Sequence, residues 1–467
     1  MINARKIVSV FKWILPSPLT IAILLTLITF TLALIFTKPS TVSFSNYSWD
    51  LVTGWKDGLW DKSSGGIYFA FQMMLMLVLG HTLALTPIVN RFIQSLIKHC
   101  DSTVKSAVIV SFFSILMGLI NWGLGLVFGA ILARKIGQNF SANKKALNYG
   151  LIGACAYLSM LAWHGGLSGS APIKIMESGY LQEMFLSHDK SLQEKIPDVI
   201  PFEATLGSNM NITLTILILI ILPFTAYIIA KLKGLEVVPK IKPYKSENVN
   251  LKKESSKGAD RIDRSNYFGI IIGLLFITIV VVEVINFSGS SRLGFINPNF
   301  INFTLLALCL FFHKNIINFL RAIQESIGDV SGILIQFPLY FGILGILKTS
   351  GLISLFSVFL IENSNSFSLP IFTYISAGVV NFFVPSGGGQ WAIQGPLLIE
   401  AAISTKTEMS KIVMAFAYGD QLTNMLQPFW ALPLLGITKL KAYQILPYTL
   451  IFFIVGAIIF GVGLIIF

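Results

Sequence analysis

The sequence predicts an all-α polytopic membrane protein, an inverted repeat with two re-entrant hairpins and two broken transmembrane helices. Three observations predict it. Of 467 residues, 54% are apolar and only 12% are charged, against roughly 25% charged in a soluble domain, and mean hydropathy is +0.75. Apolar stretches long enough to cross a bilayer recur along the whole chain. Polar, Gly-containing interruptions fall inside four of these stretches, two in each half.

The first stretch, 19–36, follows Arg5, Lys6 and Lys12. It is long for the core of a signal peptide and runs into Thr37-Lys38-Pro39, so it reads as a retained first helix. Stretch 67–87 is the second span. Stretch 106–133 is broken midway by a polar tip and reads as a hairpin. Stretch 146–185 is too long and interrupted for one straight helix, and 209–230 closes the first half. The second half repeats this order with spans at 300–313 and 330–347, a hairpin at 369–399, a broken span at 408–438 and a last span at 444–467. The chain thus divides into a first repeat (1–230), a basic loop (231–266), a connecting helix and loop (267–299) and a second repeat (300–467). The single connecting span, 267–287, makes the halves enter the membrane from opposite sides, a mark of many secondary transporters.

Basic residues set the orientation. Segment 231–264 alone holds ten Lys and Arg, which places it in the cytoplasm and the N-terminus with it. Inside segments then carry 24 of the 34 Lys and Arg, outside segments nine, and Lys174 lies within a span. The hairpin at 106–133 enters from the cytoplasm and that at 369–399 from outside. The expected location is a bacterial cytoplasmic (inner) membrane, multi-pass.

Several function classes are excluded. The net charge of +12 marks cytoplasmic loops, not a nucleic-acid partner. Cys100, Cys155 and Cys309 lie far apart and form neither a disulfide framework nor a zinc pattern. There is no GxxxxGK[ST], HExxH or GxSxG, so neither an ATP-driven pump nor an enzyme is expected, and no cofactor.

Irregular backbone at membrane depth must be buried in protein or line a water-filled cavity. The four interruptions therefore carry the chemistry. They are Asn121 to Gly125 at the first hairpin tip and Trp163 to Pro172 in the first broken span. In the second half they are Asn381 to Gln390 at the hairpin tip and Tyr418 to Pro428 in the broken span. Exposed N–H groups at a half-helix start favour an anion and freed carbonyls favour a cation. A tip and a break from each half would make two cation sites flanking one anion site. The alternative for each motif taken alone is a kink or loop.

The predicted binding residues are Asn121, Gly123, Ser168 and Ser170 from the first half. From the second half they are Asn381, Ser386, Gly387, Gly388, Gly389, Gln390, Asp420, Thr423 and Asn424. A Na⁺ is expected near Asn121, Ser168, Asn381 and Asp420. Asp420 is the only acid within the interruptions, a functional candidate because intramembrane charge is costly. It would ligate the coupling ion, Na⁺ or H⁺, or exchange a proton; otherwise it is a carboxylate held by backbone amides. His164 is either a structural hydrogen-bonding group or a proton-transfer or substrate group. Lys174 either attracts a carboxylate or snorkels to the surface. The aromatic residues around the tips, Trp163 included, read mostly as packing, some of them as an apolar wall.

At these residues the chain resembles a known family. Asn121-Trp-Gly, Leu167 to Ile173, Asn381 to Gln390 and Tyr418 to Pro428 are similar, in order, to the short-chain fatty acid transporters. The resemblance implies uptake of acetoacetate- and butyrate-like monocarboxylates. The wider superfamily includes divalent-anion/sodium symporters, with inverted hairpins, scaffold and transport domains, and commonly a homodimer. Its dicarboxylate members usually carry Ser-Asn-Thr at the hairpin tips, where this chain has Asn121-Trp-Gly and Asn381-Phe-Phe. The scarcity of Arg near the motifs suits a monocarboxylate with a short alkyl tail. The alternatives are a dicarboxylate or other organic-anion symporter and, in a different class, an anion channel.

Overall fold

The computed structural model describes residues 10, 12–13, 16–60, 66–185, 193–232, 236–241, 258, 260–288, 295, 298–362, 364–427 and 429–467. Most of the basic loop, including 242–257, lies outside the described residues, as does Pro428. The described residues are helical nearly throughout, with one isolated bridge pairing Leu147 and Val237.

The first half runs α1 (Pro18–Phe36), α2 (Phe44–Leu59), α3 (Gly66–Ala84), α4 (Pro87–Ile97), α5 (Thr103–Ile120), α6 (Trp122–Ala142), α7 (Tyr149–Tyr157), α8 (Ser170–Lys174) and α9 (Asn209–Lys231). The helix α10 (Asn266–Asn286) follows. The second half runs α11 (Pro298–His313), α12 (Ile316–Ser326), α13 (Ser331–Ser350), α14 (Leu352–Glu362), α15 (Leu369–Asn381), α16 (Gly387–Thr405), α17 (Met409–Thr423), α18 (Leu432–Thr438) and α19 (Ala442–Ile466). Each half therefore carries a hairpin, α5–α6 or α15–α16, followed by a broken helix, α7–α8 or α17–α18, and a long last span.

Local chemistry sets these boundaries. Ser17, Ser43, Ser102, Asn148, Ser208, Ser265 and Asn315 each cap a helix start by accepting a backbone N–H. Pro223, Pro338, Pro396 and Pro447 sit inside α9, α13, α16 and α19 without ending them, as helices in lipid allow. The breaks fall instead where Gly and polar residues cluster.

Six described helices are long and apolar enough to cross a membrane, or seven if the pair Ala70–Ala84 and Pro87–Ile97, bent by 77°, counts as one span. One of the six differs from expectation. The first hairpin arm, Thr103–Ile120, is 18 residues long, roughly 27 Å from the helix rise, close to a full crossing. The one-residue link at Asn121 allows this because α5 and α6 pack along each other and run antiparallel. Their neck is closed by Gly118 and Gly125: a Cβ on Gly125 would lie 2.5 Å from the Gly118 Cα.

Burial separates the core from the lipid face. In the stretch Tyr149–Lys174 the apolar window is 89% buried, against 11% in Asn266–Asn286. The broken helix is thus interior and α10 faces lipid. Around the interior break pack α5, α6, α9, α17 and α19, while α1, α2 and α13 form a neighbouring cluster through Leu51, Ala33 and Ile346.

Candidate functional site

The first hairpin tip is built by Asn121. Its backbone is extended (φ −156°, ψ 133°), which ends α5. Its Oδ1 accepts the Gly123 and Leu124 N–H groups at 2.9 and 3.1 Å, which starts α6. The tip then fastens to the first break. The Trp122 N–H donates to Ser168 Oγ at 3.0 Å, and the Leu167 N–H donates to Leu119 O at 2.7 Å.

In the first break the chain passes through two 3₁₀ turns, Leu158–Leu161 and Trp163–Gly165, before α8. The N–H groups of His164 and Gly165 are taken by Gln421 Oε1, at 2.9 and 3.3 Å. The Gly165 carbonyl accepts from Asn211 Nδ2 at 2.9 Å, and Asn211 Oδ1 accepts the Tyr418 O–H at 3.0 Å. Backbone groups that a continuous helix would have paired are thus satisfied by side chains of α9 and α17.

His164 lies 2.7 Å through Nδ1 from Asp420 Oδ2, and both side chains are almost fully buried, at 0% and 1% exposure. The Ala171 N–H donates to His164 Nε2 at 3.2 Å. An N–H can only donate, so Nε2 keeps its lone pair and Nδ1 carries the proton, with Asp420 Oδ2 as acceptor. The ring is sandwiched by stacking on Trp163 (4.3 Å) and edge contact with Phe416 (5.9 Å).

The second hairpin meets the second break at Asn381, the last residue of α15. Its Nδ2 donates to Asp420 O (2.7 Å), Thr423 Oγ1 (2.9 Å) and Asn424 Oδ1 (2.9 Å). Its carbonyl accepts from Gln427 Nε2 at 3.0 Å. Tyr157 closes the back of this group by donating to Asn424 O at 2.9 Å. Ser386 caps α16 through the Gly389 N–H at 3.3 Å. Gly387 has no room for a side chain: a Cβ would sit 2.8 Å from His164 Cε1, 2.9 Å from Trp163 Cη2 and 3.4 Å from Asp420 Oδ2. Gly388 faces Ser170, its Cβ position being 3.8 Å from Ser170 Oγ.

The predicted residues therefore converge unequally. Asn381, Asp420, Thr423 and Asn424 share one hydrogen-bonded cluster, and Gly387 packs against it. Asn121, Gly123 and Ser168 lie in a second cluster at the first tip, linked to the former through the first break. Ser170, Ser386 and Gly389 are half-buried and Gly388 is exposed, at the rim between α8 and α16. Gln390 is fully buried between the hairpin arms, donating to Ala377 O and Gln394 Oε1. Lys174 is exposed, and its ammonium bonds both carboxylate oxygens of Glu177 at 3.0 and 2.9 Å. The halves also differ in what is left over. The Asn121 and Ser168 oxygens are engaged by N–H groups, whereas buried Asn381 Oδ1, Asp420 Oδ1 and Gln427 Oε1 have no donor among the described residues. Among the described residues no three His, Cys, Asp or Glu side chains group as metal ligands.

Sequence reasoning passed over Gln421 and Gln427, which stand in the same motif as Asp420 and were readable there as amides beside a helix break. It also passed over Tyr157 and Asn211, which carry no local signal because only the packing of α7 and α9 brings them to the breaks.

Known proteins are similar to this sequence over nearly its whole length. The family model for short chain fatty acid transporters matches residues 1–467. A provisionally assigned short-chain fatty acid transporter of Escherichia coli strain K12 is 35% identical over 462 residues, 98% of this chain and 97% of that protein. A protein of the same description from Haemophilus influenzae is 34% identical over 461 residues, 96% of each. Two solved structures align over nearly the full length. Neisseria gonorrhoeae MtrF, from a class of antimetabolite efflux pumps, is 15% identical with TM-score 0.44 over 97% of both chains. The Alcanivorax borkumensis YdaH transporter is 12% identical with TM-score 0.45 over 96% of this chain and 98% of that one.

Proposed function

Because the chain belongs to the short-chain fatty acid transporter family, we propose that it takes up butyrate- and acetoacetate-like monocarboxylates by secondary active transport coupled to Na⁺ or H⁺. Membership makes it a multi-pass membrane transporter of a small molecule and not an enzyme. The proposed location is a bacterial inner membrane, with the N-terminus and the 231–266 loop in the cytoplasm. Hairpins and broken helices of the two repeats, 1–230 and 300–467, move against a scaffold of the remaining spans, in a homodimer.

The observation that carries this reading is the meeting of both breaks and the second hairpin tip at Asp420. One buried carboxylate stands among neutral amides and hydroxyls, and three oxygens there lack donors. Such a set suits a small hard cation, held by oxygens, or a proton. Beside it starts α16, whose first turn is three glycines. A helix start offers about half a positive charge, enough to favour one carboxylate.

A dicarboxylate would bring a second negative charge toward Asp420, and the nearby Lys174 is paired with Glu177. That favours a monocarboxylate. Burial of the cluster on all sides favours a carrier that must change shape to expose it over an anion channel.

The test is uptake of labelled butyrate, acetoacetate and succinate into proteoliposomes, with Na⁺ and pH gradients imposed separately. Protein-free liposomes subtract permeation of the undissociated acids. Saturable, gradient-driven uptake of the monocarboxylates is expected. Transport of succinate with no movement or competition by the monocarboxylates overturns the substrate, and conductance without saturation or coupling overturns the carrier.

A further inference from the structure

We propose that Trp163 is a substrate-contacting residue whose indole N–H donates to a carboxylate oxygen of the bound short-chain acid. The proposal rests on the monocarboxylate reading above and adds a donor to it.

Trp163 is 3% exposed, and no acceptor among the described residues reaches its Nε1–H. An indole nitrogen only donates, so it cannot ligate a cation. Buried polar groups are nearly always partnered, by protein, water or ligand. The orphaned oxygens of Asn381, Asp420 and Gln427 belong to the same centre, yet none of them bonds this N–H. Unmatched donor and unmatched acceptors in one centre call for two ligand chemistries. The oxygens ask for a cation or proton, and the indole asks for an acceptor, as a carboxylate supplies.

The position of the ring agrees. Trp163 stacks on His164 at 4.3 Å, meets Trp122 of the first hairpin tip edge-on at 6.4 Å, and puts Cη2 against Gly387 at the start of α16. One indole therefore touches both hairpins and the first break. At the adjoining rim Ser170 and Ser386 are half-buried and Gly388 is exposed, so the helix start lies nearer the surface than the buried Asp420 cluster. A neutral N–H and an apolar ring fit a single carboxylate with a short alkyl tail, because neither fixes a second charge.

Trp163→Phe keeps an aromatic ring to stack on His164 and removes only the donor and the second ring. In proteoliposomes the KM for butyrate should rise about tenfold or more, the worth of a hydrogen bond to a charged group, while Vmax stays within about threefold. In ¹⁵N-indole spectra of the wild-type protein, the resonance absent from Trp163→Phe should move with butyrate and not with butyramide. If the Phe variant does not purify as a single species, Trp163→Tyr makes the same assignment. A wild-type KM in the variant, or a Trp163 resonance indifferent to butyrate, overturns the role of Trp163 alone. Wild-type protein showing neither butyrate uptake nor a shift of any indole resonance overturns the substrate reading, and Trp163 with it.

Discussion

His164 Nδ1 and Asp420 Oδ2, 256 positions apart in the chain, stand 2.7 Å from each other with both side chains buried. This contact makes the two breaks one site. Each break alone frees backbone groups that have to be satisfied at membrane depth. The two breaks satisfy them jointly. Gln421 of the second break takes two N–H groups of the first, and the His164 ring takes the Ala171 N–H as well as reaching Asp420. A motion of one broken helix against the other must therefore disturb the only carboxylate at the interruptions.

Replacing Asp420 by Asn keeps the shape and removes the charge. Uptake should lose or change its dependence on Na⁺ and pH, falling by at least about tenfold under an imposed gradient, since one partner of a buried charge-assisted bond is gone. Expression should remain near wild type. Gradient-driven uptake by purified Asp420→Asn protein with unchanged Na⁺ and pH dependence makes Asp420 structural.

Asn381 binds the second hairpin to the second break through three acceptors on residues 420, 423 and 424. Asn381→Ala leaves buried Thr423 and Asn424 oxygens without that donor, at about 1–3 kcal/mol for an unsatisfied buried group. The variant should melt several degrees lower in a thiol-dye or tryptophan-fluorescence ramp, and uptake should fall with it. An unchanged melting temperature with full uptake sinks the idea that this amide fastens the hairpin.

Much of this arrangement is legible in the sequence, and the reason is local. A helix break in lipid needs Gly and polar side chains in a short window, so Asn121-Trp-Gly, Trp163 to Pro172, Asn381 to Gln390 and Tyr418 to Pro428 announce themselves. The fold class follows from such windows repeating in two halves. What the sequence leaves open is which interruption touches which. The pairing of His164 with Asp420, and the parts of Tyr157 and Asn211, depend on helix packing between residues some 40 to 270 positions apart. Lys174 shows the converse: next to a motif in sequence, it turns to the surface and Glu177. The length of the first hairpin arm was also hidden, because a polar tip marks where a hairpin turns and not how far its arms extend.

Gly125 tests the hairpin neck. A side chain there meets the Gly118 backbone at 2.5 Å and Ser159 Cβ at 2.8 Å, and backbone cannot step aside as a flexible side chain can. Gly125→Leu should cost at least about 1–3 kcal/mol, the usual range for overpacking, and appear as low membrane yield and a lowered melting temperature. Gly461→Leu, where nothing lies within 4 Å of the Cβ position, is the control. Equal yields for the two variants contradict the close approach of α5 and α6.

Lys174→Ala removes an ammonium that is half exposed and paired with Glu177. Exposed pairs contribute about 0–1 kcal/mol. Uptake and the KM for butyrate should stay within about twofold of wild type. A tenfold rise in KM places Lys174 in the anion site after all.

The orientation of the chain can be read with an impermeant thiol reagent. Leu147 and Val237 exchange backbone hydrogen bonds of 2.9 and 3.3 Å, which ties the start of the basic loop to the α6–α7 junction, where Lys144 and Lys145 lie. These two segments are the ones whose basic residues assign them to the cytoplasm, so their contact keeps the assignment self-consistent whichever side it is. The native background is low, because Cys100, Cys155 and Cys309 are all buried. Lys240→Cys and Lys195→Cys are both at exposed positions, on opposite sides in this topology. In intact cells Cys at 195 should label and Cys at 240 should stay protected until the membrane is permeabilised. The reverse pattern inverts the whole chain, and with it the side from which each hairpin enters. Labelling of both in intact cells breaks the alternation of the spans between them and leaves α9 short of a crossing.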